Sequence, residues 1–200
     1  MWQQLKVALL ITIVWMGICG LAYPLITTGV AQIVFKNQAN GSLIEEKGQV
    51  IGSALIGQTF EQDQYFQSKP SAIAYNIYEK NTENKEGVRS GSANYAPSNP
   101  ELMKRIEQDV AQFLQQHPTV EKQQIPADLL TASGSGLDPH ISLKAAKIQL
   151  DRLHETTGLS IDDLKKIIEQ ATDSRSLGIF GEEKMNVLKA NQQIYRQLNS

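Results

Sequence analysis

The feature that most constrains this chain is an uncharged stretch near its N-terminus. Between Lys6 and Lys36 lie 29 consecutive residues without a formal charge. About 20 apolar residues, each rising about 1.5 Å, cross the ~30 Å hydrocarbon core of a bilayer, because a helix satisfies its backbone hydrogen bonds internally where water is absent. The stretch therefore predicts a single transmembrane helix over about residues 7–31, within an N-terminal segment of residues 1–35.

The alternative interpretation of this stretch is a cleaved secretory signal. Lys6 supplies a basic start, and Gly20-Leu21-Ala22 loosely resembles a small-residue cleavage site. The apolar core of a signal runs about 7–15 residues, whereas here the apolar pattern continues past that site to Phe35. The length of the span favours an uncleaved anchor.

The orientation of the span follows from sparse charges. Lys6 and the α-amino group precede it, while Lys36 and then two glutamates follow it, so the positive-inside bias is slight. We predict a cytoplasmic N-terminus and an extracytoplasmic domain. Pro24 lacks a backbone N–H and predicts a kink near the outer end of the helix.

The remainder, residues 36–200, has the composition of one polar domain. It carries 18 basic and 21 acidic side chains, and this balance lacks the clustered positive charge of a nucleic-acid binder. A single cysteine excludes an internal disulfide, and three scattered histidines do not have the spacing of a metal site. Residues 76–98 are rich in Asn, Glu, Ser, Gly and Pro and predict a polar loop.

Hydrophobic periodicity predicts a helix-dominated α+β domain with a small sheet and about four helices. Short strands are expected within residues 49–60 and at Tyr65-Phe66, where β-branched residues and glycines alternate. Helices are expected from Pro100 to His117, from near Ser142 to Gly158, after Ser160, which forms a capping box with Asp163, and from about Asn186.

Three segments are candidate sites of chemistry. Residues 52–59 have the glycine spacing of a P-loop, but Gln58 stands where that motif needs lysine, so a strand with tight turns is favoured. Ser135, Asp138 and His140 fall within a few residues of each other and could belong to a hydrolase, yet no nucleophile elbow surrounds the serine. Asp138 is better interpreted as a turn or cap residue.

The third segment, residues 89–94, is a small-residue loop with one cation. Its backbone N–H groups could cradle an anion, although a solvated loop is the favoured interpretation. His117 and His154 stand alone in or beside predicted helices and are expected at the surface.

An ordered set of short motifs spans nearly the whole chain. They are Tyr23-Pro24-Leu25, Asn40-Gly41-Ser42-Leu43, Gly52-Ser53-Ala54-Leu55-Ile56-Gly57-Gln58, Tyr65-Phe66, Lys69-Pro70-Ser71-Ala72, Ser98-Asn99-Pro100-Glu101-Leu102, Leu130-Thr131-Ala132-Ser133, Ser135-Gly136-Leu137-Asp138-Pro139-His140-Ile141, Asn186-Val187-Leu188 and Asn191. With these motifs the sequence resembles the KdpC family, the C subunits of bacterial Kdp-type potassium-transporting P-type ATPases.

This resemblance implies a non-catalytic, single-pass subunit of the bacterial inner membrane with its soluble domain outside the cell. The implied partners are a catalytic P-type subunit, a channel-like subunit that binds K⁺, a small additional membrane subunit and the lipid bilayer. The P-type phosphorylation sequence Asp-Lys-Thr-Gly is absent from the chain. The implied roles are assembly of the pump and, as a catalytic chaperone, a rise in the affinity of the catalytic subunit for ATP.

In this family the chaperone role is assigned to a Ser-Gly-Gly-Ser-like loop, and the matching residues here are Ser90, Gly91 and Ser92. Ser92 and Ala93 stand where the family usually has Gly and Ser, so the second glycine of the family pattern is missing. The resemblance implies ATP as the ligand of this loop and no bound metal. The alternative to a pump subunit is an anchored or secreted extracytoplasmic binding domain without a pump partner.

Overall fold

A computed structural model of the chain describes residues 1–77 and 87–199. The chain divides into two compact units, one from Met1 to Leu43 and the other from Ile44 to the C-terminus. Part of the polar loop predicted at residues 76–98 lies outside the described residues. Its described portion from residue 87 to residue 98 forms neither helix nor strand.

The first unit is dominated by a helix of 33 residues, Trp2–Val34, with a mean hydropathy of 2.2. It consists of α1 (Trp2–Gly17), a π-helical turn (Ile18–Ala22) and α2 (Tyr23–Val34), and the short α3 (Lys36–Ala39) follows. Across this helix, which is described in full, no side chain is buried. The helix is long and apolar enough to cross a membrane, and it contains the predicted span of residues 7–31.

The π-helical turn lies directly before Pro24. Proline has no N–H to donate to the carbonyl four residues earlier, so an unbroken α-helical ladder is impossible at this point. The wider turn accommodates the defect, because the N–H of Tyr23 donates to the carbonyl of Ile18, five residues back. Thr27 then donates its hydroxyl to the carbonyl of Tyr23 at 2.8 Å.

The second unit contains two small antiparallel sheets. Strands β1 (Leu43–Glu46) and β2 (Gln49–Ser53) form one hairpin. Strands β3 (His140–Ser142), β4 (Thr172–Asp173) and β5 (Lys184–Asn186) form the other, in the order β3-β5-β4. In this second sheet Met185 is paired with Ile141 on one side and with Thr172 on the other.

The predicted strands at residues 49–60 and at Tyr65-Phe66 are shorter or absent. Only Gln49–Ser53 is a strand, because the N–H of Gly57 donates to the carbonyl of Leu137 and not to a neighbouring strand. Both backbone groups of Phe66 are bonded to the side chain of Asn191, at 2.8 and 2.9 Å. These residues have strand propensity, but their backbone N–H and C=O groups form hydrogen bonds with distant residues and not with a neighbouring strand.

The described residues of this unit form five α-helices: α4 (Pro100–Gln116), α5 (Leu143–Lys147), α6 (Leu150–Thr157), α7 (Ile161–Gln170) and α8 (Val187–Leu198). The predicted helix starts are confirmed, but in place of the reciprocal backbone bond of the predicted capping box, Ser160 Oγ donates to Asp163 Oδ2. Asn99, Ser142, Ser160 and Asn186 each accept a hydrogen bond from a backbone N–H in the first turn of the following helix, and Gly158 ends α6 in the left-handed conformation.

The helix predicted between Ser142 and Gly158 is interrupted at Gln149. This residue is fully buried, and its side-chain oxygen accepts a hydrogen bond from the N–H of Gln67 at 2.8 Å. Its own N–H donates to Ala146, only three residues back. The tighter turn at this point separates α5 from α6.

The core of the second unit lies between α4 to α8 and the three-stranded sheet. Its fully buried large residues include Phe66, Leu153, Leu164, Met185 and Ile194. The prediction that His117 is a surface residue is wrong. It is 3% exposed, its ring stacks on Phe113 with centroids 4.0 Å apart, and burial lowers its pKa below the usual value. His154 is exposed, as predicted.

Candidate functional site

A chain of hydrogen-bonded ionisable side chains joins the start of β3 to β4 and α8. Lys69 Nζ lies 2.7 Å from Asp138 Oδ2, and Asp138 Oδ1 lies 3.1 Å from Nδ1 of His140. On the other side of the ring, His140 Nε2 lies 3.1 Å from Asp173 Oδ2, and Lys189 Nζ lies 3.3 Å from Asp173 Oδ1. Two lysines, one histidine and two carboxylates thereby form one continuous network, which we call the His140 network.

The local sequence positions this network. Asp138 accepts the backbone N–H of His140 at 3.1 Å, which is the turn role predicted for it, and Pro139 between them restricts the backbone. His140 begins β3 and Asp173 ends β4, the two outer strands of the sheet. The network therefore connects both edges of the sheet through side chains.

Electrostatics favour the ionised carboxylates in this network. The hydrogen bond from His140 lowers the pKa of Asp138 well below its usual value, against the effect of burial, and Lys69 adds to the lowering. Burial raises the pKa of Asp173, but Lys189 and His140 outweigh it and the net shift is downward. Each carboxylate is held ionised between a lysine and a ring nitrogen of His140.

The hydrolase arrangement considered for Ser135, Asp138 and His140 is not assembled. Ser135 Oγ accepts a hydrogen bond from the N–H of Leu137 at 3.1 Å, while both ring nitrogens of His140 face carboxylate oxygens. A general base must lie within hydrogen-bond reach of its nucleophile. These three residues, all of which the structure describes, do not form a triad.

The P-loop alternative at residues 52–59 also fails on geometry. Gln58 donates its side-chain amide to the carbonyl of Ile51 at 2.8 Å, and the N–H of Gly57 donates to Leu137. The segment from Gly57 to Phe60, described throughout, is irregular and opens no helix. A phosphate would find neither a helix N-terminus nor a lysine in this segment.

The loop candidates Ser90, Gly91 and Ser92 lie against the turn at residues 133–137. The N–H of Gly91 and the hydroxyl of Ser90 both donate to the carbonyl of Ser135, at 2.8 and 3.0 Å. Ser92 donates its hydroxyl to Asn94 Oδ1 at 2.7 Å. The nucleotide-binding role of these three residues remains a prediction, and any ligand of the loop would compete with these bonds.

Gly136 is the close-approach point between this loop and the turn. It has a φ of +67°, and a Cβ on it would lie 2.7 Å from the carbonyl oxygen of Gly91. A side chain at this position is therefore excluded both by conformation and by space. The pairing of residues 90–91 with residues 135–136 was not visible in the sequence, because the two segments are 45 positions apart.

The described residues contain several open clefts. One of about 540 Å³ is bordered by the His140 network, through Lys69, Asp138 and His140, and by residues 180–184. Another of about 630 Å³ is bordered by Ser71, Ser92, Arg105 and Thr131. Within residues 1–77 and 87–199, no group of three His, Cys, Asp or Glu side chains could hold a metal ion; that the chain binds no metal remains a prediction.

Comparison with known proteins gives a family match over nearly the full length. The model of a family described as "K+-transporting ATPase, c chain" matches residues 5–196. The chain belongs to the KdpC family. Its membership makes it a subunit type of the Kdp potassium-transporting ATPase, as the motif resemblance implied, and the single long apolar helix is consistent with a membrane-anchored subunit.

Individual KdpC relatives align with the chain from end to end. The potassium-transporting ATPase KdpC subunit of Clostridium kluyveri is 50% identical over 199 residues, which cover 98% of this chain and 95% of the relative. The subunit of the same description from Clostridioides difficile is 46% identical, with 98% of each chain covered. That of Bacillus cereus is 48% identical over 182 residues, covering 90% and 89%.

Several motif residues quoted for the KdpC resemblance have structural roles that the motifs did not reveal. Lys69, Asp138 and His140 are three of the five members of the His140 network, and Asn191 holds the backbone of Phe66. Asp173 was missed altogether, because it is separated from His140 by 33 positions. In the sequence, Asp173 is an acidic residue shortly after the helix predicted past Ser160, and nothing nearby marks it as a partner of His140.

Proposed function

We propose that this chain is the non-catalytic, membrane-anchored subunit that stabilises assembly of the catalytic P-type subunit with the channel-like, K⁺-binding subunit. The observation that carries this proposal is the apolar helix Trp2–Val34, which is exposed along its whole length in the isolated chain. An apolar surface of this length requires lipid or partner helices around it. Family membership supplies the complex in which such partners occur.

The chemistry of the second unit supports an accessory role. The histidine considered for catalysis is held between two carboxylates, and the serine considered as nucleophile caps a turn. Incubation of the purified full chain with a serine-reactive probe is expected to give no labelling. Labelling that disappears in a Ser135→Ala variant would contradict the non-catalytic role.

Copurification tests the assembly role directly. The tagged full chain is expressed at native level with the other subunits, extracted from the membrane in mild detergent and captured. The expected result is recovery of a P-type ATPase subunit and a channel-like subunit, with a small membrane subunit, in fixed proportion. Recovery of the chain alone would refute the proposal. If its intact mass also revealed cleavage after Ala22, an extracytoplasmic binding domain without a pump partner would be favoured.

We further propose a cytoplasmic N-terminus and an extracytoplasmic domain, based on the slight basic bias before the span. Protease added to intact cells with a permeabilised outer surface is expected to degrade residues 44–200 and spare a tag at Met1. Protection of the domain in intact cells and degradation only after lysis would reverse the orientation.

As an alternative to that orientation, we propose from the family resemblance a role in raising the ATP affinity of the catalytic subunit; because ATP is cytoplasmic, contact with this loop requires the domain to face the cytoplasm. Ser90, Gly91 and Ser92 offer hydroxyl and backbone N–H donors to phosphate oxygens once their bonds to Ser135 and Asn94 are exchanged. A ligand that binds the folded state raises its melting temperature, so millimolar ATP is expected to raise the Tm of the full chain. The rise in Tm should be smaller in Ser90→Ala. It should persist in the control Ser174→Ala, which removes an exposed hydroxyl elsewhere. If ATP did not raise the Tm of the wild-type chain, direct binding would be excluded.

A further inference from the structure

The loop between β4 and β5 presents three large apolar side chains to solvent. Leu177, Ile179 and Phe180 are 88%, 74% and 65% exposed. They stand next to one another at the apex of residues 174–183, and we call them the β4–β5 tip. Single exposed apolar residues are common on protein surfaces, but a contiguous group of them marks an interaction site.

The backbone holds this tip in a defined conformation. The N–H of Ser176 donates to the carbonyl of Phe180 at 2.9 Å, and the N–H of Phe180 donates back to Ser176 at 3.0 Å. The N–H of Ile179 donates to the same Ser176 carbonyl at 3.2 Å. These bonds close a short hairpin turn, so the tip loses little conformational entropy when it binds a partner.

Folding alone does not account for the leucine at the apex. Leu177 has a φ of +55° and Gly178 a φ of +74°, as in a turn whose two central residues are both left-handed. Asn, Asp and Gly favour the first of these positions, whereas a bulky apolar residue is strained there. Leucine at position 177 is thus unfavourable both for the backbone of the turn and for exposure to water. Contact of its side chain with a partner accounts for its presence at this position.

Charge decides between a lipid surface and a protein partner. Residues 44–200 carry 17 basic and 21 acidic side chains. The tip is flanked by Arg175 on one side and by Glu182 and Glu183 on the other, with Lys184 beyond them at the start of β5, all exposed. Attachment of an apolar loop to an anionic bilayer is strengthened by surrounding lysine and arginine residues. The acidic flank instead complements an apolar pocket with basic side chains on its rim.

We infer that the β4–β5 tip docks into an apolar, basic-rimmed pocket on another protein subunit of the potassium-transporting ATPase. The inference rests on the proposed assembly function and adds the surface that carries part of it. Leu177 and Phe180 are the apolar side chains that this contact buries, and Glu182 and Glu183 face the basic rim.

Site-specific photocrosslinking in the assembled complex tests this contact. A Phe180→benzoylphenylalanine variant of the full chain is expressed with the other subunits and irradiated in native membranes. An adduct with one protein subunit is the expected result. If the complex copurifies but the probe gives only lipid adducts or none, the docking inference is overturned while the assembly function stands. If the wild-type chain copurifies with no subunit, both are overturned.

A substitution pair separates docking from folding. Leu177→Asn suits the left-handed turn, so the Tm of the purified full chain is expected to stay the same or rise, while recovery of the partner subunits at limiting concentration falls about tenfold. Val88→Asn removes an apolar side chain that is 89% exposed elsewhere and is expected to leave recovery unchanged. Wild-type recovery with Leu177→Asn, or an equal loss with both variants, would contradict a specific role for the tip.

Discussion

Arg152 offers the sharpest test of how the soluble unit is held together. Its guanidinium is 5% exposed and donates to the carbonyl of Asp63, to the carbonyl of Tyr65 at 3.0 Å, to Gln149 Oε1 at 2.9 Å and to His117 Nε2 at 3.0 Å. Burial lowers its pKa to about 10, so it remains protonated at neutral pH. One side chain thus satisfies four acceptors: one at the break before α6, one directly after α4 and two in the segment before Phe66.

The substitution Arg152→Met keeps most of the volume and removes every donor. Each buried acceptor left without a partner costs about 1–3 kcal/mol, but the methionine also removes the desolvation cost of a buried cation, which is several kcal/mol. The balance gives a loss of about 3 kcal/mol in the free energy of unfolding. For a domain of this size that corresponds to a fall in Tm of about 6–12 °C.

Differential scanning calorimetry of the full chain in detergent measures this change. Arg196→Met is the matched control, because Arg196 is 55% exposed and bonded to Glu46, and surface ion pairs contribute little to stability; its Tm should not change. Arg152→Lys keeps the charge but concentrates its donors on one atom, so it should also be destabilised. A Tm for Arg152→Met within about 2 °C of wild type would refute the reasoning, since it would correspond to less than about 1 kcal/mol.

Three further substitutions test other contacts. Because the pKa of Asp138 is lowered, its carboxylate stabilises the folded state above the usual pKa of 3.8, and this stabilisation is lost as the pH falls below that value. The Tm of Asp138→Asn should therefore fall less steeply with acidification than the Tm of wild type. The exposed control Asp162→Asn should behave like wild type. Gly57→Ala places a Cβ 2.8 Å from the carbonyl oxygen of Asp138 and should cost about 1–3 kcal/mol in urea unfolding. Asn191→Leu deprives both backbone groups of Phe66 of their partner and should lower the free energy of unfolding by about 2–4 kcal/mol. A loss below about 1 kcal/mol for Gly57→Ala or for Asn191→Leu would show that the contact in question is readily replaced.

Local signals in the sequence predicted the elements whose cause is itself local. The long uncharged stretch predicted the apolar helix, and Asn99, Ser160 and Asn186 predicted helix starts because a cap needs only the next few residues. The helix-dominated α+β class follows from these same periodic segments and is confirmed. Gly158 likewise ended its helix in the left-handed conformation.

Contacts between distant segments could not be predicted in the same way. The interruption at Gln149 depends on Gln67, and the burial of His117 depends on Arg152, 35 positions away. An isolated histidine beside a helix end carries no local mark of burial. The same limit applies to the candidate loop, since the partner of Gly91 is Ser135; sequence reasoning found the residues but not the turn against which they lie.

The π-helical turn before Pro24 has a consequence for the surface of the apolar helix. In a uniform α-helix with about 100° per residue, Gly29 would lie about 120° around the axis from Gly17. A turn closed five residues back admits one additional residue, so every later side chain is set back by about one position, or roughly 100°. The backbone defect therefore brings Gly29 to within about 20° of Gly17 on the helical wheel, and Gly20 lies on the same side of the helix. The bulkier side chains before and after the π-helical turn are rotated about the helix axis relative to each other, compared with a uniform α-helix.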